Sequence, residues 1–398
     1  MPDPEHSAIA VRMRDELEKL RAQSQFRSLE NPQGISLCSN DYLGLASDPK
    51  LKQAVADAVG RSNSVGATGS RLLSGNSVEW EDLEAEFARF AGTEAALYFG
   101  SGYAANIGLL SSILQPGDVA FSDALNHASL IDGIRLSGAA KVIYPHLDLA
   151  FLEKSLREQK DAPGAKVIVT DSVFSMEGDI APLRELLNLG RAYGAELVVD
   201  EAHATGVCGP QGRGMAAERK CEREMLASVH TCGKALASSG AFVCGGSALR
   251  EFLVNRARTF IFSTAMPPYM ACQISAALEL AREADAERTH LREIASLLRA
   301  ELRARGLPFG SSATHIVPII LGTNENALRV AAHLQTSGYA AKAIRPPTVP
   351  AGTSRIRISL TCRITAEDVR RIVAIVAESI AAGSESLQAA TRSTTMHA

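Results

Sequence analysis

A series of short apolar runs, separated by helix-length intervals, limits what this chain can fold into more than any other feature. Residues 95–99, 119–121, 140–144, 166–170 and 196–200 are such runs, and helical patterns lie between them near 129–137, 150–158 and 182–193. Runs this short and this continuously apolar suit strands covered on both faces; a one-sided strand would alternate apolar with polar residues. Strands joined through a helix within one sheet run parallel, with a right-handed crossover. The expectation is an α/β domain with a mostly parallel sheet, whose ligands sit at the carboxyl ends of the strands.

That rule collects scattered polar residues into one place. The strand ends are followed at once by Ser101, Gly102 and Tyr103, by Asp123 with Asn126 and His127, by Asp171 with Ser172, by Asp200 with His203, and by Thr231 with Lys234. Each alone has an ordinary reading as a cap or turn residue, but together on one sheet edge they read as one site. Gly100-Ser101-Gly102-Tyr103-Ala104-Ala105-Asn106 turns a strand into a helix, and glycines there let backbone N–H groups and the positive dipole end approach a phosphate. The stretch is not a G-x-G-x-x-G fingerprint, so a tight turn without a ligand stays open. Lys234 stands among small residues in Cys232-Gly233-Lys234-Ala235. A free lysine has a pKa of about 10.4 and becomes a nucleophile only where burial or a cation lowers it, or once held as a Schiff base. A solvated turn lysine is the alternative.

Elsewhere, residues 7–22 have loosely helical spacing and a charged face, which makes an amphipathic N-terminal arm. Asn40 and Tyr42 follow a short strand in a polar turn, where they face a ligand or simply cap the next helix. Helical stretches at 49–59 and 78–90 flank a loop at 66–76 that is rich in glycine and hydroxyls, and loops of that length are commonly functional or disordered. A long helical region over 269–305 leads to a smaller domain with strands at 315–321 and 354–360 and helices at 326–337 and 365–382, the last opened by the box Thr365-Ala366-Glu367-Asp368. The expected division is an N-terminal arm and segment (1–45), a large domain (46–285), a small α+β domain (286–383) and an unstructured polar tail (384–398).

Composition removes several function classes. A net charge of -3 gives no reason to expect nucleic acid or an anionic membrane as a partner. No apolar stretch is long enough to span a bilayer and the start lacks the order of a signal peptide, so the expected location is cytoplasmic. The 7 cysteines form no C-x-x-C pair, so neither a disulfide framework nor a metal site is expected.

One lysine, an aspartate ending an apolar strand, a histidine three places on, a further histidine and a glycine-rich turn are what pyridoxal 5′-phosphate (PLP) asks of a protein. In Val198-Val199-Asp200-Glu201-Ala202-His203, Asp200 would keep the pyridinium protonated and His203 would bond the phenolic oxygen. A helix N-cap is the ordinary alternative for Asp200.

With Ser39-Asn40-Asp41-Tyr42-Leu43-Gly44, Asn126-His127-Ala128-Ser129, Phe174-Ser175-Met176-Glu177-Gly178-Asp179, Asp200-Glu201-Ala202-His203 and Gly233-Lys234, the chain resembles the α-oxoamine synthases. These are PLP-dependent transferases of fold type I, the aspartate aminotransferase-like class. The likeness covers nearly the whole chain, although the family often has Asp where Glu177 stands. Residues 344–355 resemble the biotin-pathway branch more than the aminolevulinate or ketobutyrate branches. The resemblance implies decarboxylative condensation of L-alanine with pimeloyl-CoA or a pimeloyl-carrier protein to 8-amino-7-oxononanoate, by a homodimer with shared active sites. It implies Lys234 as the Schiff-base lysine and the base for the α-proton, and His127 as a group stacked on the pyridine ring that also acts on the substrate carbonyl. Gly102 and Tyr103 would hold the phosphate or ring, with Ser172 and Thr231 as hydroxyl contacts and Ser263 and Thr264 reaching the neighbouring subunit's phosphate. Arg357, with Asn40, would bind the amino-acid carboxylate, for which an arginine fork is suited, and Thr348 and Arg27 would contact the acyl substrate. A surface strand charge is an equal reading of Arg357 from the residues alone.

The alternatives are another α-oxoamine synthase, glycine C-acetyltransferase-like or serine palmitoyltransferase-like, and a non-catalytic partner subunit, against which Lys234 argues. No G-x-S-x-G elbow supports a serine hydrolase, and Gly233-Lys234 lacks the first glycine and the hydroxyl of a P-loop.

Overall fold

The computed structural model describes residues 7–395, with side chains through 382. Its strands, in chain order, are β1 (Ile35–Ser36), β2 (Ala95–Phe99), β3 (Val119–Asp123), β4 (Ala140–Tyr144), β5 (Lys166–Asp171) and β6 (Glu196–Asp200). They continue with β7 (Ala227–Thr231), β8 (Ala241–Gly245), β9 (Ile316–Gly322), β10 (Tyr339–Ala340), β11 (Ala343–Ile344) and β12 (Ser354–Ser359). The chain divides into two compact units. One comprises 40–292 with 361–363; the other joins the N-terminal segment up to Ser39 to 293–360 and the C-terminal helix.

The larger unit is built on a seven-stranded sheet in the order β2-β8-β7-β6-β5-β3-β4. β3, β4, β5, β6 and β7 pair in parallel, and β8 is antiparallel to both β2 and β7. The central strands β3, β5, β6 and β7 are buried on both faces, as their apolar runs require, whereas β4, expected to be covered likewise, lies at the sheet edge and is largely exposed, with Ile143 facing solvent. Val169, Val198, Val229 and Val243 pack in one cluster with Leu109 and Leu110 of the helix Gly102–Ile113 and with Leu130 and Ile134 of the helix Ala128–Ser137. Phe87 stacks on Phe242 of β8 with ring centroids 3.9 Å apart, and Trp80 stacks on Tyr98 of β2 at 4.2 Å. Each such large side chain removed from water contributes roughly 1.5–3 kcal/mol. The register places Asp171 opposite Asp200, so the parallel strands present their polar ends along one edge.

In the smaller unit β11, β12 and β9 form an antiparallel sheet. The N-terminal segment, expected as a separate arm, joins this unit because β1 pairs in parallel with β10, Ile35 opposite Tyr339. The expected box at the last helix is present: Asp368 N–H donates to Thr365 Oγ1 at 3.1 Å, and Thr365 N–H donates to Asp368 Oδ2 at 2.9 Å. That helix runs Ala366–Thr395, into the stretch expected as an unstructured tail; no proline interrupts it, and residues 396–398 of that tail lie outside the described residues.

The region 269–305 is two helices, Pro268–Glu283 and Asp285–Ala304, where one long region was expected. The break at Ala284 has a local cause. The Arg288 guanidinium takes the carbonyls of Ala281 and Arg282, which are orphaned where the first helix ends. Among the described residues, no helix is long and apolar enough to cross a membrane.

Candidate active site

The carboxyl edge of the large sheet brings together most of the residues singled out in the sequence. Asp200 ends β6, buried, and both its oxygens are held: Asn106 Nδ2 donates to Oδ2 at 2.6 Å and Ala202 N–H to Oδ1 at 2.8 Å. Asp200 closes a local turn through Oδ1, and no helix begins there for it to cap. Asn106 was not singled out, though a signal existed: it is a buried amide among Ala105, Leu109 and Leu110 on an otherwise apolar helix.

His127 caps the helix Ala128–Ser137 from the end of the loop after β3. Its backbone N–H donates to Asp171 Oδ2 at 2.8 Å, and its Nδ1 lies 2.7 Å from Ser129 Oγ and accepts from Ser129 N–H at 3.3 Å. An accepting Nδ1 puts the proton of the neutral ring on Nε2. Burial lowers the His127 pKa below its usual value; the Asp200 charge opposes this and the Lys234 charge reinforces it. Asp171, fully buried, is pushed well above the carboxylate range first by burial and then by Asp200, and Lys234 draws it back. His127, Asp171, Asp200 and Lys234 thus form one interacting electrostatic group.

His203 is braced from behind. Tyr42 Oη lies 2.6 Å from His203 Nδ1 and donates its one hydrogen to Asn40 Oδ1 at 3.0 Å, which makes Nδ1–H of His203 the donor in the shorter contact. Tyr42 is fully buried and faces this histidine, where the sequence left it facing a ligand or capping a helix.

Gly102 opens the helix Gly102–Ile113, whose N-cap Ser101 accepts from Ala104 N–H at 3.0 Å. An added Cβ at Gly102 would stand 3.4 Å from Thr231 Oγ1, so the glycine-rich turn and the end of β7 close on the same space. Thr231 Oγ1 itself donates to Gly240 O at 3.3 Å. Tyr103 meets the His127 ring edge-on at 6.3 Å, and its phenol donates to Asp132. Ser172 Oγ donates to Glu201 Oε2 at 2.9 Å. Glu201, with no role assigned from sequence, also accepts from Met215 and Ala216 N–H groups at 2.9 and 2.6 Å; burial raises its pKa to about 7 against those bonds. Ser263 and Thr264 are exposed, and Thr264 bridges Ser70. In the smaller unit Arg27 donates to Thr348 Oγ1 at 3.3 Å, and Arg357 is buried on β12 opposite Pro318.

The donor set fits PLP. A buried carboxylate held by two donors suits a cationic ring nitrogen, and a helix N-terminus opening on glycine suits a phosphate. The Asn106 Oδ1 and the hydroxyls of Ser238 and Ser239, close to Lys234 in sequence, are buried without a protein hydrogen-bond partner, which leaves polar capacity at this edge.

Residues 32–376 match the family model described as aminotransferase class I and II. An 8-amino-7-oxononanoate synthase of Geobacter sulfurreducens is 45% identical over 377 residues, 91% of this chain and 96% of the relative. One of Burkholderia mallei is 48% identical over 354 residues, 87% of this chain and 89% of the relative. The chain belongs to the 8-amino-7-oxononanoate synthases of the class I and II aminotransferase family. Among solved structures similar to this synthase family member, a serine palmitoyltransferase from S. paucimobilis with bound PLP has a TM-score of 0.86 at 28% identity and covers 95% of this chain and 99% of that one. An 8-amino-7-oxononanoate synthase from Francisella tularensis has a TM-score of 0.77 at 29% identity, with 88% and 98% covered. The fold is that of fold type I PLP-dependent transferases, and PLP is the cofactor.

Proposed function

We propose that this chain condenses L-alanine with a pimeloyl thioester, of coenzyme A or of a carrier protein, and releases carbon dioxide and the thiol to give 8-amino-7-oxononanoate. The observation that supports the reading is the buried Asp200, held by Asn106 and Ala202, beside His127 on the carboxyl edge of the sheet in a chain 45% identical to a synthase of that name. When bound, PLP supplies an electron sink for the carbanion at the amino acid's α-carbon.

The chain's own residues do the rest. Asp200, held by Asn106 and Ala202, keeps the proton on the ring nitrogen. His203, braced by Tyr42, bonds the ring oxygen. Lys234 Nζ anchors the cofactor, takes the α-proton and later returns one to the product, a task suited to a base within hydrogen-bond reach of that carbon. His127 covers the ring face, and its Nε2–H bonds the thioester carbonyl oxygen, where negative charge develops. Gly102, Tyr103, Ser172 and Thr231 hold the phosphate and ring. Arg357 with Asn40 is assigned to the amino-acid carboxylate, and Arg27 and Thr348 to the acyl chain, as parts of the same proposal. Two copies of the chain associate, with Ser263 and Thr264 presented to the partner.

The test is substrate choice. Holoenzyme is supplied with alanine, glycine or serine and with pimeloyl-CoA or other acyl thioesters, and product mass and carbon dioxide release are followed. Alanine with the pimeloyl thioester is the expected pair; turnover with glycine or serine and none with alanine overturns the assignment.

A further inference from the structure

The sheet edge opposite the candidate active site carries an open concavity of about 550 Å³, lined by Arg89, Arg213, Arg223 and Arg282 together with Phe90 and Gly92. Its position follows from the topology. Gly92 lies just before β2 and Arg223 just before β7, and these strands are parallel to each other because both are antiparallel to β8. Their starts therefore share the edge away from Thr231 and Asp200.

No carboxylate lines this concavity. Glu222 answers Arg213 at 2.9 Å and Glu86 answers Arg282 at 3.0 Å. The nearby Glu224 is engaged elsewhere, by Arg184 and Arg191. Arg89 and Arg223 have no ion-pair partner among the described residues, although Arg89 also borders a groove with Asp57, Glu79, Asp82, Glu86 and Glu279, and Arg223 another with Glu94, Glu196, Glu222 and Glu224. On the side of this hollow the two guanidinium groups meet no lining carboxylate, a like-charge arrangement that a bound anion would relieve.

Capping of a helix C-terminus is the ordinary explanation, and it covers part of the observation. Arg213 Nε donates to Phe90 O at 2.6 Å and Arg223 Nε to Gly92 O at 3.2 Å, the carbonyls left where the helix Val78–Ala91 ends. That use occupies the Nε groups. Both Nη groups of Arg223 and all the donors of Arg89 have no protein partner among the described residues. The guanidinium of Arg213 is also held in place: a Cβ at Gly92 would stand 2.3 Å from its Nη2, so only glycine admits it there. Arg213 and Arg223, held through their Nε groups, and the unpartnered Arg89 bring guanidinium forks to one hollow, a group suited to binding phosphate oxygens in pairs.

We propose that this concavity binds a multivalent phosphate anion of the diphosphate class, either free or carried on a nucleotide. The site does not depend on the reaction proposed above.

Holoenzyme, whose cofactor site is filled, is titrated calorimetrically with pyrophosphate, inorganic phosphate and ADP at low and at raised salt. Pyrophosphate is expected to bind more tightly than phosphate, to weaken with salt, and to lose roughly tenfold or more in affinity in Arg89→Gln/Arg223→Gln. Both side chains are exposed and away from the cofactor site, so the double variant should keep the wild-type cofactor absorbance, with a small drop in melting midpoint from the lost Arg223 cap; Arg89→Gln alone, at a residue without a protein partner among the described residues, should keep both and serves as the second variant. ADP binding more tightly than pyrophosphate assigns a nucleotide-borne ligand, and ADP binding no more tightly assigns the free anion. Failure of all three probes to bind wild-type holoenzyme, or binding that neither variant weakens, overturns the proposal.

Discussion

Tyr42 Oη and His203 Nδ1 stand 2.6 Å apart in a buried pocket, and the same phenol gives its hydrogen to Asn40. One hydroxyl thus fixes the ring orientation of the histidine that follows Asp200 by three residues. Tyr42→Phe removes that hydroxyl and leaves Nδ1–H buried without this partner. Stability is expected to fall by about 1–3 kcal/mol, the cost of an unsatisfied buried donor. The cofactor absorbance maximum and kcat should change with it, because the ring proposed to bond the cofactor oxygen loses its brace. A variant with lowered stability but unaltered spectrum and kcat would confine Tyr42 to packing.

Asn106 acts on Asp200 in a comparable way. Its amide also donates to Ser129 Oγ at 2.9 Å, so it ties the β6 carboxylate to the helix that His127 caps. Asn106→Leu leaves the carboxylate only the Ala202 N–H. Cofactor affinity is expected to fall about tenfold, equivalent to ~1.4 kcal/mol. Absorbance titration of apoenzyme with PLP measures it; an unchanged dissociation constant would mean that the carboxylate needs no second donor.

What could be seen in the sequence depended on whether the cause was local. Short apolar runs mark strands, so β2, β4 and β6 fall at the expected residues, β4 even though it lies exposed at the sheet edge, and the strand-end rule then picked out Asp200, His127 and Lys234 as candidates. β8 was not expected. It returns antiparallel to β7 without an intervening helix, so the alternation that exposed the other strands does not mark it. The pairing of Ile35 with Tyr339 joins segments far apart in the chain and has no local signature. The break at Ala284 has a local cause, yet apolar spacing does not show which carbonyls a nearby arginine will take. In the site, the sequence left Tyr42 between facing a ligand and capping a helix because its partner, His203, is distant in sequence, and for the same reason it did not show Glu201 as the acceptor for Ser172.

Glu84 organises the loop 66–76 from inside the core. Its Oε1 accepts from Arg71 Nη1 at 2.9 Å and from Tyr98 N–H at 3.1 Å, and its Oε2 accepts from Arg250 Nη2 at 2.9 Å. Glu84 is 3% exposed and the Arg71 side chain 8%, so little water is available to replace a lost partner. Glu84→Leu strands the arginine charge and should cost about 3–5 kcal/mol. The denaturation midpoint reports the loss, and limited proteolysis should find new cleavage within 66–76, because Arg71 also holds that loop through Asn76 at 2.6 Å. Unchanged resistance there would show that the loop is ordered by other contacts.

His146 joins the loop after β3 to the segment after β5. Its Nδ1 lies 2.9 Å from Asp123 Oδ1 and its Nε2 lies 2.9 Å from Asp179 Oδ2, with Phe174 edge-on to the ring at 4.5 Å. Burial alone would lower its pKa, but the hydrogen bonds to Asp123 and Asp179 outweigh burial and raise it to about 10. The folded chain thus holds a proton that the unfolded chain releases near the ordinary value of about 6.5. The stabilisation is fully present below about pH 6.5 and is lost progressively as pH rises through about 10. His146→Gln keeps a polar side chain but cannot carry the charge. Its deficit in denaturation midpoint relative to wild type should be large near pH 6, shrink steadily above neutrality and nearly vanish beyond pH 10. A deficit that stays constant over that range would mean the imidazole is held by shape and hydrogen bonds without its proton, and the two aspartates would then need another counter-charge.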